Sequence, residues 1–200
     1  MNYKVLQLYN PGILEAKLPD RVFRNMKNVV NDPSTRKGQS MTSDLVGVIR
    51  EEYIAPEILG LRECINSMYA EWKLIFGVED NHEYKIDPIW INYMKKGEFN
   101  PNHCHPEAKA VFVIWVTIPY NIEEEMRMGG YNNKMHPSKA SCFEITYNTM
   151  SGGSCQAPFF VNKQMEGTIL MFPGSMVHCV YPFYTSNEER ISIAGNIYLV

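Results

Sequence analysis

Two histidines one residue apart, His103 and His105 in NPNHCHPE, and a third, His178 in FPGSMVHCV, are the residues of this chain best suited to hold a metal. Neutral imidazole is a common metal ligand, and three of them leave open positions on a divalent iron, manganese, zinc or nickel ion. Residues i and i+2 of a strand share a face, so an HxH pair at a strand mouth presents both rings to one side. His178 follows a Pro173-Gly174 turn, where a strand adjacent in space can bring it to the same place. Taken singly, each histidine is better read as a polar residue at a strand end. The metal reading requires all three to converge.

A second constellation lies in the last strand-like run, RISIAGNIYLV, where Arg190, Ser192, Ala194 and Asn196 alternate with isoleucines. Period two puts Arg190 and Ser192 on one face. An arginine on an inward face requires an anion, because an unpaired buried charge is very costly. Its planar fork matches a carboxylate bidentately, and the Ser192 hydroxyl can donate a further bond to the same group. Two anions would serve: a ligand carboxylate, or a protein carboxylate such as Glu188 or Glu189.

The elements that must position these residues change in texture near residue 86. Before it the spacing is helical. LPDRVFRNMKNVVND carries apolar residues at Val22, Phe23, Met26, Val29 and Val30, and APEILGLRECINSMYAEWKLIFG carries a stripe from Ile58 to Phe76, with Pro56 in its first turn and Gly77 at its end. After residue 86 come short apolar or alternating runs, PIWINYM, AVFVIWVTIP, CFEITYN, APFFVN, GTILMFP, MVHCVYPF and RISIAGNIYLV, bounded by Gly, Pro and Asn. Each predicts a strand, and their close spacing predicts a sandwich or barrel. The expected architecture is α+β and mainly β: one domain over 1–200, with 1–85 as mostly helical support packed outside a β core of 86–200. The charged, Gly- and Asn-rich stretch YNIEEEMRMGGYNNKMHPSKAS is expected as a long loop. It contains His136 and the run Glu123 to Glu125, and is read either as a lid or as a solvated face.

The bulk composition excludes several classes. At 200 residues, with 45% hydrophobic and 20% charged residues, the chain matches an ordinary globular domain. A net charge of −3 without clustered Lys and Arg argues against nucleic acid as a partner. The longest uncharged apolar run, AVFVIWVTI, is too short to cross a bilayer, and the N-terminal residues lack a signal-peptide core, so a cytoplasmic protein without a membrane partner is expected. Five cysteines without a CxxC pair fit reduced thiols, with Cys104 and Cys179 expected to be buried.

In combination, these motifs resemble the double-stranded β-helix (jelly-roll, cupin-like) oxygenases that use Fe(II) and 2-oxoglutarate. In that family an HxD or HxE pair and a distal His hold iron, and an RxS motif binds the far carboxylate of the cosubstrate. WINYMKKGEFNPNHCHP, FVIWVTIPYNIEEE and MFPGSMVHCVYPFYTSNEERISIAGNI are more closely similar to members found in marine tailed phages and marine bacteria. The N-terminal LPDRVFRNMKNVV and SDLVGVIREEYIAPEI are similar to that group too, so the resemblance spans nearly the whole chain.

The resemblance implies an oxygenase, in outline a hydroxylase, with Fe(II) as metal, 2-oxoglutarate as cosubstrate anchored by Arg190 and Ser192, and a small molecule or a protein side chain as substrate. One departure leaves two ligand sets open. Either His103, His105 and His178 form a three-histidine site, or His105 and Glu107 act as an HxE pair with His178 while His103 stands behind them. The related cupins offer a rival, since GEFNPNHCH and GTILMFPGSMVH fit both cupin half-motifs. Their usual glutamate is absent, however, with Lys109 and Ala110 at its place. A cupin-type metal enzyme that does not use 2-oxoglutarate and a non-catalytic metal- or ligand-binding domain are therefore the alternatives. Asn92, Tyr93 and Asn102 are candidates to orient the imidazoles, and Trp90, Phe112, Trp115, Phe172 and Phe183 are candidates for a pocket wall or for plain packing.

Overall fold

The computed structural model describes residues 12–41, 47–78, 81–128, 138–149 and 151–200. The described elements run β1 (Leu14–Lys17), α1 (Asp20–Asn31), β2 (Glu52–Ile54), α2 (Leu61–Ile75), β3 (Tyr84–Met94), β4 (Asn100–His103), β5 (Ala110–Thr117), α3 (Ile122–Met128), β6 (Phe143–Asn148), β7 (Ser154–Phe159), β8 (Thr168–Pro173), β9 (Val177–Val180) and β10 (Arg190–Leu199). The strands form two antiparallel sheets: a six-stranded one in the order β1-β8-β5-β10-β3-β2, and a four-stranded one in the order β4-β9-β6-β7.

Alternation in the long strands explains the layering. On β3 and β10, Ile91, Tyr93, Ile191 and Ile193 point to the outer face of the large sheet, where they pack with Val22, Met26 and Val30 of α1 and Leu61, Ile65, Tyr69 and Trp72 of α2. On α1 the three buried residues recur every four positions, one narrow stripe. Tyr93 ties the layers by donating its hydroxyl to the Val30 carbonyl at 3.0 Å. The opposite face of the large sheet packs Met94, Val111, Trp115, Leu170 and Phe172 against Phe143 and Ile145 of the small sheet. Each fully buried side chain of this size contributes about 1.5–3 kcal/mol. The molecule is thus mainly β, a layer of helices against two facing sheets.

Three elements depart from the sequence reading. The second helix starts at Leu61, behind Gly60 in the left-handed region (φ 86), and not around Pro56. Upstream, β2 joins the edge of the sheet beside β3, and Ala55 continues that contact by donating its N–H to the Ile89 carbonyl at 2.9 Å. Strand pairing holds the segment extended, so the 1–85 region is not helical throughout; it also contributes β1, paired with β8. Third, the stretch expected as a loop begins with helix α3. The Glu123 to Glu125 run is not uniformly solvated: Glu125 is fully buried and accepts bonds from the Tyr184 and Thr185 N–H groups at 2.9 and 2.6 Å. The expectation placed on His136 lies outside the described residues. Among the described residues no helix is long and apolar enough to cross a membrane.

Candidate metal and cosubstrate site

His103 is the last residue of β4, and its Cα pairs directly with that of His178 on β9. Neighbouring strands of the small sheet therefore present two imidazoles side by side, their ring centroids 4.2 Å apart. His105 lies beyond the strand, so the i, i+2 strand argument does not place it. It is held instead by a turn, donating its N–H to the Gly174 carbonyl at 2.7 Å and accepting from the Ala108 N–H at 2.9 Å. Gly174 must be glycine for this: a Cβ there would lie 2.2 Å from the Ala108 oxygen and 2.6 Å from the His105 oxygen. The result brings a nitrogen of each of His103, His105 and His178 within 4.8 Å of one another. Glu107 sits in the exposed turn that follows, outside this group.

Backbone carbonyls orient two of the rings. His103 Nδ1 lies 2.8 Å from the Pro101 oxygen and His178 Nδ1 lies 3.0 Å from the Met176 oxygen. With Nδ1–H donating, each Nε2 keeps its lone pair for a metal. The side chains named as candidates for this role do not perform it. Tyr93 faces the helices, Asn102 is exposed, and Asn92 points its amide toward the Ser192 hydroxyl at 3.5 Å. Because the actual partners are main-chain oxygens, no side-chain signal could have revealed them.

Burial sets the protonation of the group. It pushes His178 down to about 3, helped by His103 and His105 and opposed by the Met176 carbonyl. It pushes His105 down to about 4, with His103 adding repulsion, and it lowers His103 against the Pro101 carbonyl. All three are neutral near pH 7, the form that ligates metal. Converging neutral imidazoles, two of them with Nδ1 engaged by backbone carbonyls, are a fitting donor set for a divalent transition ion.

The same cavity of about 430 Å³ is lined by the three histidines and by Arg190 and Ser192. Arg190 is 3% exposed, and its described partners are all neutral. One terminal nitrogen donates to the Tyr120 hydroxyl at 3.1 Å and the Ser141 carbonyl at 2.9 Å. The other donates to the Tyr181 carbonyl at 3.1 Å and lies 2.8 Å from the Met94 sulfur. Glu189, considered above as its counter-ion, is bonded to Arg36 instead. Ser141 holds its carbonyl there from a left-handed backbone (φ 64), a feature the sequence does not announce.

Trp90, Phe112, Trp115 and Phe172 line the cavity, the last three also belonging to the core, whereas Phe183 is buried against Tyr120 and lines none of it. Cys104 is exposed, against the expectation of burial, because it follows the end of β4; Cys179 is buried. All five thiols are free.

The cavity of this β-sandwich joins a histidine cluster that could hold a metal ion to a buried arginine that could pair with a carboxylate. Comparison with known proteins identifies the family. The sequence profile described as "Putative 2OG-Fe(II) oxygenase" matches residues 88–196, just over half of the chain. The chain belongs to this family and is an Fe(II)/2-oxoglutarate-dependent oxygenase. No curated protein matches the chain. Among solved structures it is similar to a prolyl hydroxylase from Trichoplax adhaerens in complex with a hypoxia inducible factor peptide fragment (14% identity, TM-score 0.60, 94% of this chain and 84% of that one). It is also similar to a Pseudomonas putida prolyl-4-hydroxylase (13%, TM-score 0.57, 94% and 93%). A third is the viral collagen prolyl hydroxylase of Paramecium Bursaria Chlorella virus-1 in its 2-oxoglutarate complex (12%, TM-score 0.54, 94% and 96%). At these identities the likeness is one of fold.

Proposed function

We propose that His103, His105 and His178 are the ligands of the ferrous ion, and that Arg190 and Ser192 receive the distal carboxylate of 2-oxoglutarate. The observation that carries this reading is the shared cavity: neutral imidazoles at one place, and at another a buried guanidinium whose described partners carry no charge. A cation so placed is expensive without an anion, and a dicarboxylic cosubstrate supplies one. The weakest of its four acceptors, the Met94 thioether, is the one a carboxylate would replace. When bound, ion and cosubstrate would support oxidation by dioxygen, in which one oxygen atom ends in succinate as 2-oxoglutarate loses CO2 and the other ends in the hydroxyl of a substrate C–H bond. The protein's part is to fix the Nε2 atoms through Pro101 and Met176, keep the imidazoles neutral, and hold the cosubstrate's far end in a cavity walled by Trp115, Phe143 and Phe172.

The sheet order supports a double-stranded β-helix, and the whole chain, 1–200, is read as one such domain. The sequence resemblance supports placing it with the marine phage and bacterial members. Five free thiols support a reducing compartment such as the cytoplasm. Its substrate is a small molecule or a protein side chain, prolyl peptides being the class that the named structural neighbours suggest; nucleic acid is no part of this reading. The test is anaerobic: Fe(II) and then 2-oxoglutarate are added to apo-protein, and the visible charge-transfer band of the chelate is expected. Bound iron without a band overturns the reading in favour of a cupin-type metal enzyme. A band of undiminished affinity in Arg190→Leu removes Arg190 from the cosubstrate site, and failure to form succinate in air supports a binding domain.

A further inference from the structure

Asn100 opens β4, three residues before His103, and in a regular strand the two side chains would face opposite ways. Here the register shifts by one residue between them: Asn100 pairs with Val180 and His103 with His178. The irregularity turns both side chains toward the cavity, the use to which bulges beside active sites are put. The Asn100 amide nitrogen then lies 3.5 Å from His103 Nε2, while its Oδ1 is buried without a hydrogen-bond partner. Packing fixes the amide: the Gly47 backbone sits so close that a Cβ there would fall 2.6 Å from Oδ1.

His103 Nδ1 is bonded to the Pro101 carbonyl, so Nε2 offers one lone pair. That lone pair can take the Asn100 N–H or a metal, but not both. Once the metal is seated, the N–H beside it must find another acceptor, or remain unsatisfied at a cost of about 1–3 kcal/mol.

We infer that Asn100 donates this N–H to the 2-oxo acid head of the cosubstrate on the metal. The inference rests on the cosubstrate reading above. A carboxylate that ligates through one oxygen leaves the other to be bonded inside the cavity. Arg190 and Ser192 are engaged at the far end, and Asn92 is turned to Ser192. Of the cavity's amides, Asn100 is the one within reach of a ligating nitrogen.

The test compares full-length wild type with Asn100→Ala and the near-isosteric Asn100→Asp, which keeps the packing on Gly47 but does not donate when ionised. Without oxygen, Fe(II) affinity is measured by calorimetric titration and 2-oxoglutarate affinity from the visible band of the chelate, with glutarate, a ligand lacking the 2-oxo acid head, titrated calorimetrically. Asn100→Ala is expected to leave Fe(II) affinity unchanged, weaken 2-oxoglutarate about tenfold or more, shift the band, and leave glutarate binding as it was. Asn100→Asp is expected to weaken 2-oxoglutarate at least as much. Unchanged 2-oxoglutarate affinity and band in both variants overturn the proposal. So does a parallel loss of Fe(II) affinity, which would make Asn100 a support for His103. A wild type that binds Fe(II) but forms no band at all overturns the cosubstrate reading itself, and Asn100's role with it.

Discussion

Three neutral imidazoles stand where the resemblance anticipates two and a carboxylate. A ferrous centre held by all three would be one unit more positive than one with an acidic ligand, which makes the identity of the third ligand a chemical question as well as a structural one. His105 is partly buried and stands 5.3 and 5.4 Å, ring to ring, from His103 and His178. Glu107 is exposed. Replacing His105 by alanine is therefore expected to lower Fe(II) affinity by more than the roughly 10–100-fold that follows loss of a supporting residue. Glu107→Ala is expected to leave affinity unchanged and to alter stability by no more than about 0.5 kcal/mol. Metal titration of both variants decides the matter: a loss in Glu107→Ala as large as that in His105→Ala would restore the HxE ligand set of His105, Glu107 and His178 and move His103 behind it.

At the scale of elements, the turn after β4 does as much for the site as the strands. Gly174 accepts from His105 and lies under Ala108, so Gly174→Ala forces the turn outward. Overpacking of this kind costs about 1–3 kcal/mol, and because the displaced turn carries His105, metal affinity is expected to fall as well. Urea unfolding and metal titration on one sample check both. A stable variant with full metal affinity would show that His105 does not depend on this contact. This dependence also explains which parts of the site could be read in the sequence. His178 and the Arg190-Ile191-Ser192 strand were legible because period two decides which way each side chain points. The HxH pair was legible as a pair for the wrong reason: His103 belongs to a strand, His105 to a turn. The bulge that aligns Asn100, the left-handed Ser141 and the carbonyls of Pro101 and Met176 are backbone features set by strands distant in sequence. No residue type marks them. The same holds for β1 and β2, which are extended because β8 and β3 offer edges, and for Glu125, buried because the backbone of Tyr184 and Thr185 comes to meet it.

At the scale of the molecule, the proposed metal site and the proposed carboxylate site draw on both sheets. His103 and His178 stand on the small one, Arg190 and Ser192 on the large one, and Met94, Trp115, Phe143 and Phe172 join the two in one apolar cluster. Occupying the cavity should therefore brace the two sheets against each other. A ligand that binds only the folded state stabilises it by about 2.7 kcal/mol at a hundredfold excess over its Kd. For a chain of this length that corresponds to a rise in Tm of about 5–10 °C. Fe(II) under argon is expected to raise the Tm of the apo-protein, and 2-oxoglutarate to raise it further. Most of the second rise is expected to vanish when the metal is withheld, because a dicarboxylate that reaches only Arg190 loses its chelate to the ion. In His178→Ala both shifts are expected to collapse, while in Arg190→Leu the metal shift alone should survive. Equal 2-oxoglutarate shifts with and without metal would mean that the carboxylate site works independently of the histidines, and the single-cavity reading would fail. Calorimetry adds a check on cooperativity. If the sheets share one core, apo and loaded protein each unfold in a single transition, whereas a loaded protein with one shifted and one unshifted transition would show that ligands grip one sheet alone.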